Sequence, residues 1–501
     1  MKPTDTLFQL VKSMSREENK FFRKHYCNKT DEKSSLHIQI FNRLCKMDNY
    51  DEQALKKGIN PSVFKTLKNR MKDDVLDCLC IISPPGDVNE LRRKLSHAEM
   101  LSHRGLFNEA ESMLNTLAEK IEKNSLASGS AYLHQVLTAY SHILQRQENA
   151  HLDKATENLG KRIVKNAETL AYSMKFYYGY LRLAKIQAVN PHLRTDEQLL
   201  ELSELVDTFS ISNLPLHNSF DQNIYYKLSG SLIDFLIGSF SRHFQLEQEL
   251  FEEIYSNKEV VERREIPMFA YAFSGFANAC FKIRDVKKMR YAVDKATPVY
   301  EKYFINDLRL YGDYAYLCCA LDYLEGKKIK QNADLLKTFF ETNFEKLNHD
   351  VRIFISYILM LSYHKTGDYA QALHFNTSTL DINPKIDSSK DFREFSRLYY
   401  LLILVDRENS KTLPDFINIE TQVAAFKNYV YKNYANADHQ LETLFISFFE
   451  SLLKINNKKQ VKLKFEKLSV NLKQLEKQDI QYIRHMFSKF DFLKWSEQSF
   501  S

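Results

Sequence analysis

Few residue patterns in this chain resemble catalytic groups, and each lacks the partners that its chemistry requires. Ser62 and Lys65 have the Ser-x-x-Lys spacing in which a lysine activates a serine nucleophile, but the companion motifs of such enzymes are missing. Adjacent carboxylates such as Asp73 and Asp74 diverge around a helix and cannot flank one substrate. Neither a glycine-rich phosphate loop nor a His-Glu-x-x-His zinc motif occurs. We therefore expect a protein that is not an enzyme and carries no cofactor and no metal.

The seven cysteines indicate buried thiols rather than a metal site. Cys78 and Cys80 are separated by one residue and Cys318 adjoins Cys319, so neither pair has the Cys-x-x-Cys spacing of a zinc site. An odd number of cysteines, without a secretory leader, is typical of reduced thiols, and we expect a cytoplasmic protein. The longest apolar runs fall short of the roughly 20 residues that cross a bilayer, so we expect no membrane span.

Basic residues are concentrated in two stretches, although the net charge is only +6. The first, between positions 56 and 72, has no acidic residue and contains Lys56, Lys57, Lys65, Lys68, Arg70 and Lys72. A short helix, a turn and a longer helix would place Lys65, Lys68 and Lys72 on one side, which suits phosphate contacts. Asp73 and Asp74 follow directly and would repel a nucleic-acid backbone. A solvated helix face is therefore favoured over nucleic-acid binding, as it is for the second stretch at 454–477, for which an acidic partner protein is the alternative.

The elements that would carry these residues are predicted to be helices throughout. The 501 residues include only 12 Gly and 10 Pro, which favours long uninterrupted helices. The one cluster of helix breakers, Ser83 to Gly86, divides an N-terminal helical head (1–83) from a helical tract (87–501). The run from Tyr399 to Asp406 resembles a buried strand, but it continues the 3.6-residue apolar pattern that precedes it, which favours helix.

One segment of the tract has the residue pattern of a helical repeat. The pattern consists of Leu359, Tyr363, Gly367, Asp368, Tyr369, Ala372, Leu380 and Pro384. Gly367 permits a tight turn between two helices, Ala372 permits their close approach, and Pro384 ends the second helix. This segment resembles a tetratricopeptide repeat (TPR), with weaker copies beginning at Leu101 and near Cys280. Residues 5–120 also resemble the N-terminal part of an uncharacterised bacterial family of long TPR-like proteins.

The resemblance implies a right-handed TPR-like α-solenoid of antiparallel helix hairpins behind the small head. Such arrays bind a protein or peptide on their concave face, so we expect a non-catalytic scaffold or adaptor. The inner helices would present to this groove Tyr271, Ser274, Asn278, Phe281, Phe354, Tyr357, Leu361 and His364. Alternatively, Phe354 and Tyr357 simply pack against a neighbouring helix. Trp495, the only tryptophan, is expected to cover the end of the array.

Two other functions remain open from the sequence. One is a ligand-responsive regulator whose basic head contacts nucleic acid or a signalling protein. The other is a structural subunit of a larger assembly. Neither the partner nor the pathway follows from the residues.

Overall fold

The computed structural model describes most of the chain. The described residues are 6–26, 32–47, 50–82, 87–124, 129–144, 152–189, 193, 195–208, 220–257, 266–305, 307–380, 390–411, 416–434, 437–455, 457–478 and 480–498. Within these ranges every regular element is an α-helix, apart from two short 3₁₀ turns at Phe344–Lys346 and Phe416–Ile419. The predicted all-α fold is thus confirmed for the part of the chain that is described, and no helix there is long and apolar enough to cross a membrane.

The chain divides into two compact units, Met1–Lys94 and Leu95–Ser501, which we call the N-terminal and C-terminal units. The N-terminal unit contains five helices and the start of a sixth, namely α1 (Thr6–Ser13), α2 (Arg16–Tyr26), α3 (Glu32–Lys46), α4 (Glu52–Lys56), α5 (Pro61–Ile82) and α6 (Asp87–His103). The unit boundary lies inside α6. Pro84, Pro85 and Gly86, where the sequence analysis placed the division, lie outside the described residues.

The first helices of the C-terminal unit are α7 (Phe107–Asn124), α8 (Gly129–Leu144), α9 (Leu152–Val189), α10 (Asp196–Thr208), α11 (Phe220–Leu236), α12 (Phe240–Ser256), α13 (Ile266–Ile283), α14 (Val286–Tyr303) and α15 (Leu308–Glu325). They are followed by α16 (Ile329–Asn343), α17 (His349–Lys365), α18 (Tyr369–Leu380), α19 (Lys390–Asn409), α20 (Glu420–Asn433), α21 (Gln440–Leu452), α22 (Lys458–Glu476), α23 (Gln481–Lys489) and α24 (Phe492–Gln498).

Local signals in the sequence set several of these boundaries. At the start of α2 the backbone N–H of Glu18 donates to Ser15 Oγ, and the N–H of Ser15 donates to the Glu18 carboxylate at 2.6 Å. This reciprocal pairing satisfies two N–H groups that a helix start otherwise leaves without partners. Thr195 and Gln198 form the same arrangement before α10. These two capping boxes fix the starts of α2 and α10.

The run from Tyr399 to Asp406 lies within α19, so the helical prediction is confirmed and the strand alternative is wrong. Six of its eight residues are buried, and they lie on all sides of the helix, which explains the continuous apolar run in place of one apolar face. Among the described cysteines, Cys78, Cys280 and Cys319 are buried free thiols, as predicted, whereas Cys45 and Cys318 are only partly buried. Burial raises the pKa of the Cys319 thiol to about 12, so this group is inert at neutral pH.

Neighbouring helices of the C-terminal unit contact one another in a regular order. From α11 to α19 most helices pack against the next helix in sequence. In addition, α13 contacts α15, α15 contacts α17, and α17 contacts α19. Helices α13, α15, α17 and α19 therefore form a continuous layer, in which α15 lies between α13 and α17.

The connection between α17 and α18 is a tight turn at Gly367, whose φ is 76°. The backbone N–H of Asp368 closes the turn by donating to Tyr363 O at 2.9 Å. Ala372 is fully buried where the two helices meet. Gly105 forms an equivalent turn before α7, with a φ of 77°. Pro384 lies outside the described residues.

The turn between α13 and α14 has the same form without a glycine. Arg284 adopts the left-handed conformation with a φ of 59°, and the N–H of Asp285 donates to Cys280 O at 3.0 Å. Left-handed backbone is costly for an arginine. Its side chain offsets part of that cost, because the Arg284 guanidinium donates to Phe487 O at 2.9 Å.

Replacing Gly367 by Ala should lower the free energy of unfolding by about 1–2 kcal/mol, because an L-residue is strained at this φ even though no atom lies within 4 Å of the added methyl group. Gly160→Ala is the matched control, since Gly160 lies inside α9 and is equally uncrowded. It should stabilise the protein by about 1 kcal/mol. Urea unfolding followed by circular dichroism checks both values, and an equal effect of the two substitutions would contradict the role of the turn.

Candidate functional site

A cavity of about 460 Å³ lies within the C-terminal unit. Helices α13, α17 and α23 form most of its wall, and α9, α11, α12, α15 and α19 complete it. Its aromatic and aliphatic lining consists of Ala184, Leu232, Phe235, Tyr271, Phe281, Tyr316, Ile353, Phe354, Tyr357 and Phe392. Its polar and charged lining includes Gln187, His243, Glu247, Ser274, Asn278, Lys282, Asp350, His485, Ser488 and Lys489. This mixture of apolar surface and convergent polar groups is typical of ligand sites.

Six of the eight residues that the sequence assigned to a groove line this cavity. These are Tyr271, Ser274, Asn278, Phe281, Phe354 and Tyr357. The structure thus brings together the selected faces of α13 and α17, which are far apart in sequence. Leu361 and His364 are buried and lie outside the lining. Partner binding by these residues remains a prediction.

Hydrogen bonds fix the wall where α13 meets α15 and α17. The Tyr316 hydroxyl donates to Asn278 Oδ1 at 2.8 Å, and Asn278 Nδ2 donates to Ser274 O at 2.8 Å. The Tyr316 ring stacks on Phe354 with 5.5 Å between the ring centroids. Asn278 is thus held by its neighbours, which gives this wall a defined shape before any ligand arrives.

Tyr271 lies where the cavity meets solvent, because its side chain lines the cavity and the residue is 49% exposed. Its hydroxyl is 2.6 Å from that of Tyr180 on α9. Burial of the Tyr180 hydroxyl raises its pKa, so the pair is neutral and one hydroxyl donates to the other. This bond joins α9 to α13 at the rim of the cavity.

A buried polar trio on α11 and α12 consists of two lining residues, His243 and Glu247, and of Ser231, which does not line the cavity. Ser231 Oγ donates to Glu247 Oε1, and His243 Nδ1 lies 2.8 Å from Ser231 Oγ and 3.1 Å from Ser231 O. Burial lowers the pKa of His243 to about 3, so the imidazole is neutral. Because the Ser231 proton is directed to the carboxylate, Nδ1 of His243 is the donor toward Ser231.

The second carboxylate oxygen of Glu247 is buried without a hydrogen-bond partner and rests against the Cα atom of Gly275 on α13. A side chain at position 275 would collide with it, which accounts for a glycine within a helix. Burial raises the pKa of Glu247 to about 6, although the bond from Ser231 and the nearby Lys282 ammonium oppose this shift. Glu247 is therefore an ionisable group whose charge is poorly stabilised by the protein alone.

Helix α23, the last helix but one of the described residues, closes one side of the cavity through contacts with residues much earlier in the chain. Arg484 donates to Ile237 O at 3.0 Å, and the hydroxyl of Tyr357 donates to Lys489 O at 2.7 Å. The Lys489 ammonium lies 4.7 Å from the centroid of the Phe392 ring. One side of the cavity is therefore closed by the chain's own C-terminal segment, residues 481–498.

The C-terminal segment is anchored by a buried hydrogen-bond network that includes Trp495 on α24. Asp406 Oδ2 accepts from Trp495 Nε1 at 2.7 Å and lies 2.9 Å from His364 Nε2. His364 Nδ1 is in turn 2.6 Å from the Tyr399 hydroxyl. The structure places His364 in this anchor, and the Trp495 ring packs against Phe445 and its neighbours on α21 and α22.

The first basic stretch contributes to a separate feature in the N-terminal unit. Four of its six residues border one groove: Lys56, Lys65, Lys68 and Lys72. Lys57 and Arg70 are exposed outside that groove. In the second stretch, Lys473 pairs with Glu497 at 2.8 Å. Among the described residues, no group of three or more His, Cys, Asp or Glu side chains is arranged to hold a metal ion.

The contributions of His243, Glu247 and α23 to the cavity were not predicted from the sequence. His243 and Glu247 are one turn apart on α12, a spacing that usually marks one helix face. The other buried residues of that helix are apolar, so two polar residues among them are a pattern in the sequence that indicates a buried polar site. No local pattern indicates where α23 docks.

Glu247→Gln should change the pH dependence of stability. A carboxyl whose pKa is raised by folding stabilises the fold fully below its unfolded pKa of about 4.5, and this contribution is lost as the pH rises through about 6. The wild type should therefore gain about 2 kcal/mol relative to the variant when the pH falls from neutral to 4.5. Urea unfolding at both pH values measures this gain, with the exposed Glu341→Gln as control. A difference that does not change with pH would contradict the buried carboxylate.

Trp495→Phe should destabilise the protein by about 2 kcal/mol, because it removes a hydrogen bond to the Asp406 carboxylate. A double-mutant cycle with Asp406→Ala isolates this bond. We expect a coupling energy of about 1 kcal/mol or more from urea unfolding followed by circular dichroism. Additive effects of the two substitutions would show that the bond does not anchor α24.

Comparison of this chain with protein-family models, with curated proteins and with solved structures finds no match.

Proposed function

We propose that this protein is a non-catalytic, TPR-like helical-repeat scaffold that binds a short peptide segment of a partner protein in the cavity between α13, α17 and α23. The observation that carries this proposal is the convergence of Tyr271, Ser274 and Asn278 with Phe354 and Tyr357 around one cavity. Repeat scaffolds bind their partners through side chains on the inner helices of successive units.

The helix contacts support a repeat architecture. The contacts from α13 to α15 and from α15 to α17, together with those between sequential helices, are the neighbour pattern of stacked helix pairs. The Gly367 turn and the buried Ala372 occupy the positions that a TPR uses for its turn and its close approach. We include the right-handed superhelix of TPR arrays in the proposal.

The chemistry of the lining suits a peptide segment. Aromatic rings on α13 and α17 offer apolar contact, while Ser274, Asn278 and Lys282 provide hydrogen-bonding groups that a peptide backbone or polar side chain can use. A volume of about 460 Å³ lies within the usual range for ligand sites and accommodates only a few residues. The bound segment is therefore short, and its ends leave the cavity near Tyr271.

The buried trio supports binding rather than catalysis. Ser231 is 1% exposed and does not line the cavity, so its hydroxyl cannot reach a ligand there. Its proton is engaged by Glu247, and His243 is oriented toward Ser231 rather than toward an accessible nucleophile. The trio accordingly has a structural role in the proposal, as a set of packed polar groups that holds α11 and α12 together at the cavity wall.

Ser274→Phe should weaken binding of a cavity-directed peptide by at least about tenfold, because the added ring occupies the space between α13 and α17. The peptide is selected from a displayed random library against the full chain, and its affinity is measured by fluorescence anisotropy. Ser378→Phe on α18 makes the same change away from the cavity and should leave the affinity within about twofold. Equal affinity of selected peptides for the wild type and the Ser274 variant would contradict the proposed site.

A further inference from the structure

The N-terminal unit contains a groove with a predominantly basic lining. It has a volume of about 480 Å³ and lies between the start of α1, helix α4 and the first half of α5. We call it the basic groove, and its polar lining includes Lys56, Lys65, Lys68, Asn69, Lys72 and Glu52. Four ammonium groups and one carboxylate give it a local excess of three positive charges.

Two of the lysines are positioned by contacts with their neighbours. The Lys68 ammonium donates to the Tyr50 hydroxyl at 2.8 Å and lies 5.2 Å from the centroid of that ring. The Lys56 ammonium is 2.7 Å from the Glu52 carboxylate and 5.5 Å from the centroid of the Phe64 ring. Their side chains therefore lose less conformational freedom when a ligand binds.

The other two lysines, Lys65 and Lys72, are exposed and make no ion pair or hydrogen bond with the described residues. They are seven residues apart on α5, which places them about 10 Å apart along the helix axis on one side. Asn69 lies between them and adds an amide donor. The two ammonium groups therefore remain available at the ends of a row of donors.

We propose that the basic groove binds a compact anion that carries two or more phosphate groups. A short phosphate chain can bridge Lys65 and Lys72 while Lys68 and Asn69 contact its centre, and lysines bind phosphates through charge-assisted hydrogen bonds. This site lies in the N-terminal unit and does not depend on the peptide cavity of the C-terminal unit.

The same surface is poorly suited to a long nucleic-acid backbone. The Glu52 carboxylate lies in the groove, and the exposed Asp73 follows Asn69 by one helical turn on the same side of α5. A polyanion running along α5 would meet this second carboxylate and be repelled. A ligand that ends within the groove avoids it, so the compact anion is favoured.

Isothermal titration of the full chain with inorganic triphosphate at low ionic strength tests the proposal. We expect binding that the double substitution Lys65→Gln/Lys72→Gln weakens by about tenfold or more. The matched control, Lys57→Gln/Arg70→Gln, removes the same charge from the same basic stretch but outside the groove, and should change the affinity by no more than about twofold. All four residues are exposed, and circular dichroism checks that both variants are folded.

Absence of triphosphate binding would overturn the proposal. Equal weakening by the two double substitutions would also overturn it, because that result would indicate only a general effect of charge.

Titration with a short DNA duplex separates the compact anion from a nucleic acid. If the duplex binds more tightly than triphosphate and loses that affinity on Lys65→Gln/Lys72→Gln, the surface is a nucleic-acid interface and the compact anion is ruled out.

Discussion

The carboxylate of Asp406 connects helices that are formed far apart along the chain. It accepts a hydrogen bond from Trp495 on α24 and contacts His364 on α17, while its own helix, α19, forms part of the buried core. Because the carboxylate is largely buried, loss of either partner would remove part of the hydrogen bonding that offsets the cost of burying it. The C-terminal segment is therefore held in one position, and α23 is held with it.

This anchor determines what kind of ligand the C-terminal unit can accept. An array of helix pairs ordinarily offers an open concave face that can hold a long peptide or a folded partner. Here α23 closes one side of the cavity through the contacts of Arg484 and Tyr357, and the cavity has a volume of only about 460 Å³. The proposed peptide binding follows from this restriction, since a short segment fits where a folded partner does not.

The parts of the fold that depend on local sequence could be predicted. Capping residues such as Ser15 and Glu18 set helix starts, and apolar spacing placed Tyr271 and Tyr357 on the faces that now line the cavity. The position of His364 could not be predicted in this way. Helical spacing gives the face of α17 on which it lies, but not that α19 packs against that face and contributes both hydrogen-bond partners, Tyr399 and Asp406.

The basic stretch illustrates the same limit. Helical spacing predicts that Lys65, Lys68 and Lys72 share one side of α5, but it does not indicate which other elements border that side. In the structure the start of α1 and helix α4 border it with α5 and form a groove, whereas Lys57 and Arg70 lie outside. Glycine is required at tight turns, as at Gly367, and at close approaches, as at Gly275, whereas Gly160 inside α9 has no such role.

Hydrogen exchange of the full chain, with and without a selected peptide, tests the central claim most directly. If the peptide occupies the cavity, exchange should slow in Ile266–Ile283, His349–Lys365 and Gln481–Lys489, while helices remote from it, such as α7, keep their rates. Slowed exchange confined to other helices, with these three segments unchanged, would contradict the account.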